Sequence, residues 1–427
     1  MSSTTTHQRR WPISRRRRSQ LIGGVAFAGL VTAVMTAPVE AVHDDGNFEL
    51  DGNVLDELAA GDDWSNVFDG TDSSFVDTGI VPDPAPQSIF TQGGSKDHED
   101  VTEWRHKNGS VPDKDNITNA YAAAYSVGGD TIVYFGMDRF DTSGSANVGF
   151  WFFQGDVAPV AGGTFSGQHE VGDLLILSEF DEGGTGVTIK VFRWVGTGGD
   201  EGGGSLETLF GGDTGAPADC DDIGPGDQDD VCADVNEATI LNADIPWSYT
   251  GKGGQGFTVN DMETGAFFEG GINLDAFFGS APCFTNFAAE TRSSFEVNAV
   301  LKDFAHDQFP LCDADISIAP DDVNDVGDEH TFTVTVNKEV GGNPSPADDG
   351  TIVDVTLTHS DPAGNPVTPT SDTCANPGTV GGTCTVTFSS DVAGVITGHA
   401  EATVDVGDTS IDVSTGSGPG QNPDAVK

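Results

Sequence analysis

Thr331-Phe332-Thr333-Val334-Thr335-Val336 alternates hydroxyl-bearing and apolar side chains without a break. A period of two belongs to a strand with one face buried, so Phe332, Val334 and Val336 are expected inward and the threonines outward. The pattern recurs around it. Ala314–Ala319, Thr351–Thr358, Thr383–Phe388 and Val395–Val406 are short, mostly Thr/Val-rich and separated by Gly, Pro and Asp turns. Such spacing predicts a two-sheet antiparallel sandwich over residues 313–416, followed by a flexible tail, 417–427.

Upstream the runs are more apolar. Thr131–Met137 (TIVYFGM), Val148–Gln154 (VGFWFFQ), Asp173–Phe180 (DLLILSEF) and Val187–Val195 (VTIKVFRWV) stand between Gly-rich turns. They predict a second antiparallel sandwich, jelly-roll-like, over 87–312. The four consecutive aromatics Phe150–Phe153 place two rings on each face of a strand, so at least one face is expected to be covered. Ala120–Tyr125 fits strand or short helix equally well. Residues 42–86 are acidic and rich in Gly, Asp and Pro, which predicts an exposed N-terminal arm with one helical turn near Val54–Ala59.

The N-terminus has its own grammar. Arg9, Arg10 and Arg15–Arg18 form a basic head, Leu21–Ala37 an uncharged, mostly apolar run, and Val39-Glu40-Ala41 a small-residue exit. This predicts a signal peptide over 1–41, cleaved after Ala41, and a secreted protein. A retained membrane anchor is the competing reading of the same run.

The chain has 18 Lys+Arg against 68 Asp+Glu, of which 50 are Asp. Loss of the leader removes six Arg and Glu40, which leaves 12 basic and 67 acidic residues. Such a surface repels nucleic acid and anionic membranes and attracts cations. Adaptation to high salt and a set of Ca²⁺ sites explain the acidity equally well. Six cysteines in an exported chain predict disulfides, with Cys220–Cys232, Cys283–Cys312 and Cys374–Cys384 the local pairing.

Two resemblances rest on these segments. GDEHTFTVTV…DGTIVDVTLT…CTVTFSS…GVITGHAEATV resembles the bacterial Ig-like domains of surface adhesins and exported multidomain proteins. That implies a spacer or presenting module and no particular ligand. FTQGGSKDHEDVTEWRHKNGSVPDKDNI (90–117), YFGMDRF…GFWFFQ (134–154), VGDLLILSEF (171–180) and FFEGGINLDAF…CFTNFAAETRSS (267–294) resemble a group of exported bacterial proteins to which no activity attaches. No functional residue follows from it.

The candidate sites are therefore read from residue chemistry. Asp219, Asp221, Asp222, Asp227, Asp229 and Asp230 crowd one Gly/Pro loop, and dense carboxylates of this kind wrap Ca²⁺, although the spacing is not that of an EF-hand. Trp104, Arg105 and His106 combine an aromatic ring with donors and would suit a sugar; the competing reading is a loop that caps the sandwich with Trp104 in the core. Nucleophile-elbow, zincin and Walker motifs are absent. The reading is a secreted, non-catalytic binding or adhesion protein, with an extracellular glycan or cell-surface component as partner and structural Ca²⁺. The alternative is a polysaccharide-active enzyme, a glycoside hydrolase or lyase, using a carboxylate pair such as Glu103 or Glu179 with an Asp.

Overall fold

A computed structural model describes residues 42, 46–56, 61–83, 87–91, 95–180, 186–199, 202–220, 229–253, 258–407, 409–418 and 421–427. The expected leader, 1–41, lies outside them. Eighteen strands carry the architecture. In the first sandwich they are β1 (Gln87–Phe90), β2 (His106–Gly109), β3 (Ile117–Val127), β4 (Asp130–Arg139), β5 (Ala146–Phe153), β6 (Leu174–Phe180), β7 (Thr188–Val195), β8 (Ser205–Phe210), β9 (Val231–Val235), β10 (Phe267–Asn273), β11 (Asn286–Arg292) and β12 (Leu301–Gln308). In the second they are β13 (Cys312–Ala319), β14 (His330–Val340), β15 (Val353–His359), β16 (Thr383–Phe388), β17 (Ile396–Val406) and β18 (Thr409–Ser414).

The chain is all-β, as the patterning predicts. One sheet of the first sandwich runs β9–β10–β4–β3, with the two-residue strands Val76–Asp77 and Val81–Pro82 both on the free edge of β3. The other runs β8–β7–β6–β5–β11–β12–β1–β2, with Ala216–Pro217 beside β7. All these ladders are antiparallel; Phe150, for example, lies between Ile176 and Ala289. Residues 120–125 are strand throughout.

The long apolar runs have a physical cause: both sheets are covered on both faces, so strict alternation is unnecessary. Phe150 and Phe152 point between the sheets, where they meet Phe135, Phe268 and Phe287. Trp151 and Phe153 point outward into a second aromatic layer. A third cluster lies on the outer face of the other sheet, where Tyr121, Tyr134 and Phe267 pack beneath Phe48 and Trp64.

That third cluster corrects the expectation of an exposed arm. Phe48, Val54 and Trp64 are fully buried, because the few large apolar residues of this acidic stretch find the uncovered side of β3 and β4. A helical turn lies downstream of the expected Val54–Ala59. It spans Trp64–Asp69, with the Asp63 side chain accepting from backbone at its N-terminus and Gly70 closing it at φ 64°. Residues 57–60 lie outside the described ones.

The second sandwich packs β13–β14–β16 against β15–β17–β18. Phe332, Val334 and Val336 are fully buried in its core and alternate with threonines, as the opening motif requires. The 417–427 tail is not flexible where it is described. Ala425–Val426 pairs with Thr397 and Gly398 of β17, and Ala425 is buried, because β17 otherwise leaves that backbone unpaired.

The three disulfides are those expected: Cys220–Cys232, Cys283–Cys312 and Cys374–Cys384, with Cα separations of 5.2, 5.2 and 4.9 Å. Three such bonds mark an oxidising, non-cytoplasmic compartment. No helix among the described residues is long and apolar enough to cross a membrane.

Candidate functional site

Trp104, Arg105 and His106 do not converge. Asp100 caps a short 3₁₀ turn, Val101–Glu103, and this turn drives Trp104 down onto β5. The ring lies 6.2 Å from Trp151 and 5.6 Å from His169, and its N–H donates to Lys96 O at 2.9 Å. The Arg105 guanidinium turns back to donate to Thr102 O and Trp104 O, both at 2.7 Å. His106 bonds Val160 O through Nε2 at 3.0 Å. The stretch is a lid over the nine-stranded sheet, with Trp104 as its plug; a sugar platform would need that ring exposed.

Beneath the lid lies a charged centre. Arg292 on β11 pairs with Asp97 of the lid and with Glu290 at 3.2 Å, and Trp151 donates to Asp97 at 3.0 Å. All four are at most 1% exposed. Burial, and next the neighbouring Asp97, hold the Glu290 carboxyl well above the usual carboxylate range, while Arg292 pulls the other way. Beside them His169 stacks on Trp194 at 4.0 Å and approaches Asp173 at 3.4 Å. The space between Glu290, His306 and the surrounding aromatics is about 10 Å³, room for about one water and no substrate.

Two further sets of acids, buried except for the half-buried Asp83, join the N-terminal segment to the sandwich. The Asp83 carboxyl lies against that of Asp303 on β12. Asp303 also accepts from Ile117 N at 2.9 Å. Burial, and then Asp83, push Asp303 up to about 8; burial raises Asp83 to about 7. On the opposite face Glu269 of β10 accepts from Gly52 N at 2.8 Å and Trp64 Nε1 at 2.9 Å. Burial and then Asp63 hold Glu269 well above its ordinary value, and burial does the same to Asp63. Asp138 is buried too and rises to about 7, although Asn119 and Trp247 donate to it.

Sequence reasoning missed these contacts because they are tertiary. Trp64 and Glu269 are 205 residues apart, and Ile117 and Asp303 are 186 apart. Buried acids carry no local signature in a chain with acids everywhere.

Of the acidic loop, Asp219, Asp229 and Asp230 are described, and Asp221, Asp222 and Asp227 lie outside the described residues. Asp219 is half-buried and bridges to Ala233, while Asp230 is exposed. Among the described residues no three His, Cys, Asp or Glu side chains come together as a metal site.

The open concavities are of another kind. One of about 890 Å³ lies on the second sandwich, where Asp348, Asp349, Asp354, Glu401, Asp405 and Asp412 line it with Thr403 and Ser414. Another of about 330 Å³ lies on the first, bordered by Asp51, Asp234, Glu237 and Asp244. Both attract cations and hydrogen-bond donors. No family model, curated protein or solved structure matches the chain.

Proposed function

We propose that this is an exported, non-catalytic binding or adhesion protein. The first sandwich is its closed body, the second is a module of the bacterial Ig-like kind, and the acidic concavities make contact with a partner. One observation supports the reading above the others. The carboxyls with the most displaced acidity lie in a sealed interior, whereas a catalytic pair works in a cleft that admits substrate. Among the described residues the two acidic concavities offer carboxylates, threonine and serine and no aromatic ring. A glycan would therefore be held through hydroxyls and bridging Ca²⁺ rather than by ring stacking. The test is a glycan array with Ca²⁺, with chelator, and with Na⁺ at matched ionic strength. Binding that appears with Ca²⁺ alone is the expected result. Equal binding under all three conditions removes the role of Ca²⁺, and release of reducing sugar from any polysaccharide overturns the non-catalytic assignment.

A further inference from the structure

Beyond the binding role, and independent of it, stands the way the edge of the first sandwich is fastened. Val76–Asp77 and Val81–Pro82 cover β3 on one sheet, and Asp83 N donates to Thr118 O at 3.0 Å. The Asp83 side chain then reaches across to Asp303, which belongs to the other sheet. Beside the Ile117 N–Asp303 bond, this carboxyl–carboxyl contact spans the two layers at their open side.

Two carboxylates in contact inside a protein cannot both be ionised unless a cation lies between them. Among the described residues no Lys, Arg or His forms an ion pair with either group. Asp83 Oδ2 and Asp303 Oδ1 are both buried from water and meet no N–H or hydroxyl donor. Of the neighbouring groups, Phe304 N lies near the Asp303 carboxyl and favours its ionised form, but it closes no hydrogen bond on Oδ1. Asp303 Oδ2 is occupied by Ile117 N, and Thr291 Oγ1 accepts from Asp303 N while donating to Asp115 O. Asp115 adds a further negative charge, and Lys114 is committed to Asp115 at 3.2 Å. What satisfies both orphan oxygens is a proton carried by one carboxyl and accepted by the other.

We propose that Asp83 and Asp303 form a proton-operated latch, which holds the 76–83 edge segment across the sandwich while the pair shares a proton and frees that segment when the proton is lost. The direction follows from linkage. An unfolded or opened Asp releases its proton near pH ~4, and the closed pair keeps one to higher pH. Closure is therefore strongest in acid and weakens as pH rises toward the titration of the pair, then changes no further.

Hydrogen exchange of the full-length protein, followed by mass spectrometry and corrected for the intrinsic pH dependence of exchange, tests this. Peptides over 71–83 should show an opening constant that rises about tenfold per pH unit between about pH 5 and about pH 7, with a plateau above about pH 8. Peptides over 353–406 serve as the internal control. Asp303→Asn keeps an acceptor for Ile117 N and gives Asp83 a permanent N–H donor, so its slope over 71–83 should fall below about twofold per unit. Asp83→Asn supplies the donor from the other side and covers the case in which the first variant fails to fold. A flat wild-type profile overturns the latch, and so does a tenfold slope retained in a folded variant. High-pH protection that requires added Ca²⁺ overturns it as well, because a metal would then bridge the pair.

Discussion

The two sandwiches handle the same acidity in opposite ways. Among the described residues, ten carboxyls between Glu49 and Asp303 are buried in the first. Among the described residues of the second, the buried polar groups are His330, His359, Thr379 and Thr415, with no carboxyl among them. The cause is layering. Segments cross both outer faces of the first sandwich and carry their acids into dry surroundings. The second has one core and wet outer faces, so alternation alone decides: on β17, Glu401, Thr403 and Asp405 point out between buried Ala402, Val404 and Val406. High net charge is thus compatible with two designs, one that solvates its acids and one that pairs, protonates or neutralises them.

The sharpest way to break the contrast is to take away the cation inside the first sandwich. Arg292→Met leaves Asp97 and Glu290 buried without compensation, and should cost about 3–5 kcal/mol at neutral pH. The described tryptophans, Trp64 to Trp247, all belong to the first sandwich, so urea unfolding followed by fluorescence reads this loss directly. A cost under about 1 kcal/mol would mean that the centre is wetter than its geometry implies.

The converse change acts on the second sandwich. Replacing Cys374 and Cys384 by serine releases a 10-residue loop and should remove about 2–4 kcal/mol. Exchange protection over β14 and β16 should drop while tryptophan fluorescence stays unchanged. A shift of both signals together would show that the two halves unfold as one.

Titration separates the halves next. Asp138 and Asp303 are raised to about 7 and about 8 from an ordinary 3.8. Their contribution is therefore largest below about pH 4 and is lost as pH climbs toward those values. Each retained proton should lower the stability of the first sandwich by about 1.4 kcal/mol per pH unit in that window. In the second sandwich hydrogen bonds donated to the Asp424 and Glu401 carboxylates raise His399 above 6.5. Its contribution is present below that value and disappears as pH rises through the raised one. Thermal melts between about pH 5 and about pH 8 should show the tryptophan transition falling the more steeply.

The smallest effect is at the C-terminal strand. Asp424 accepts from Thr415 at 2.6 Å and pairs with His399 at 2.8 Å near the surface. Asp424→Ala should loosen Ala425–Val426 in exchange experiments and change global stability by less than about 1 kcal/mol.

Much of the architecture is legible along the chain. Period-two runs place β14 and β17, apolar runs place β4 to β7, and the even cysteine count with local pairing gives the disulfides. The covered outer faces were not legible. Phe48, Val54 and Trp64 are too sparse to signal a core until β3 and β4 present a surface for them. The tail failed for a related reason, since two residues form a strand solely because β17 has a vacant edge. The acid pairs are hidden further still, because Asp83 and Asp303 look like any other aspartates until the fold brings them together.

The joint between the sandwiches has a mechanical meaning. Cys283, in the loop before β11, is bonded to Cys312 at the start of β13. At the same junction the tip of the β14 hairpin rests on the first sandwich, where Gly341 N donates to Leu311 O at 3.0 Å and Ser126 donates to Asn343 at 3.3 Å. A tensile load applied through β13 therefore passes into β11 through a covalent bond, bypassing β12 and the turn that follows it.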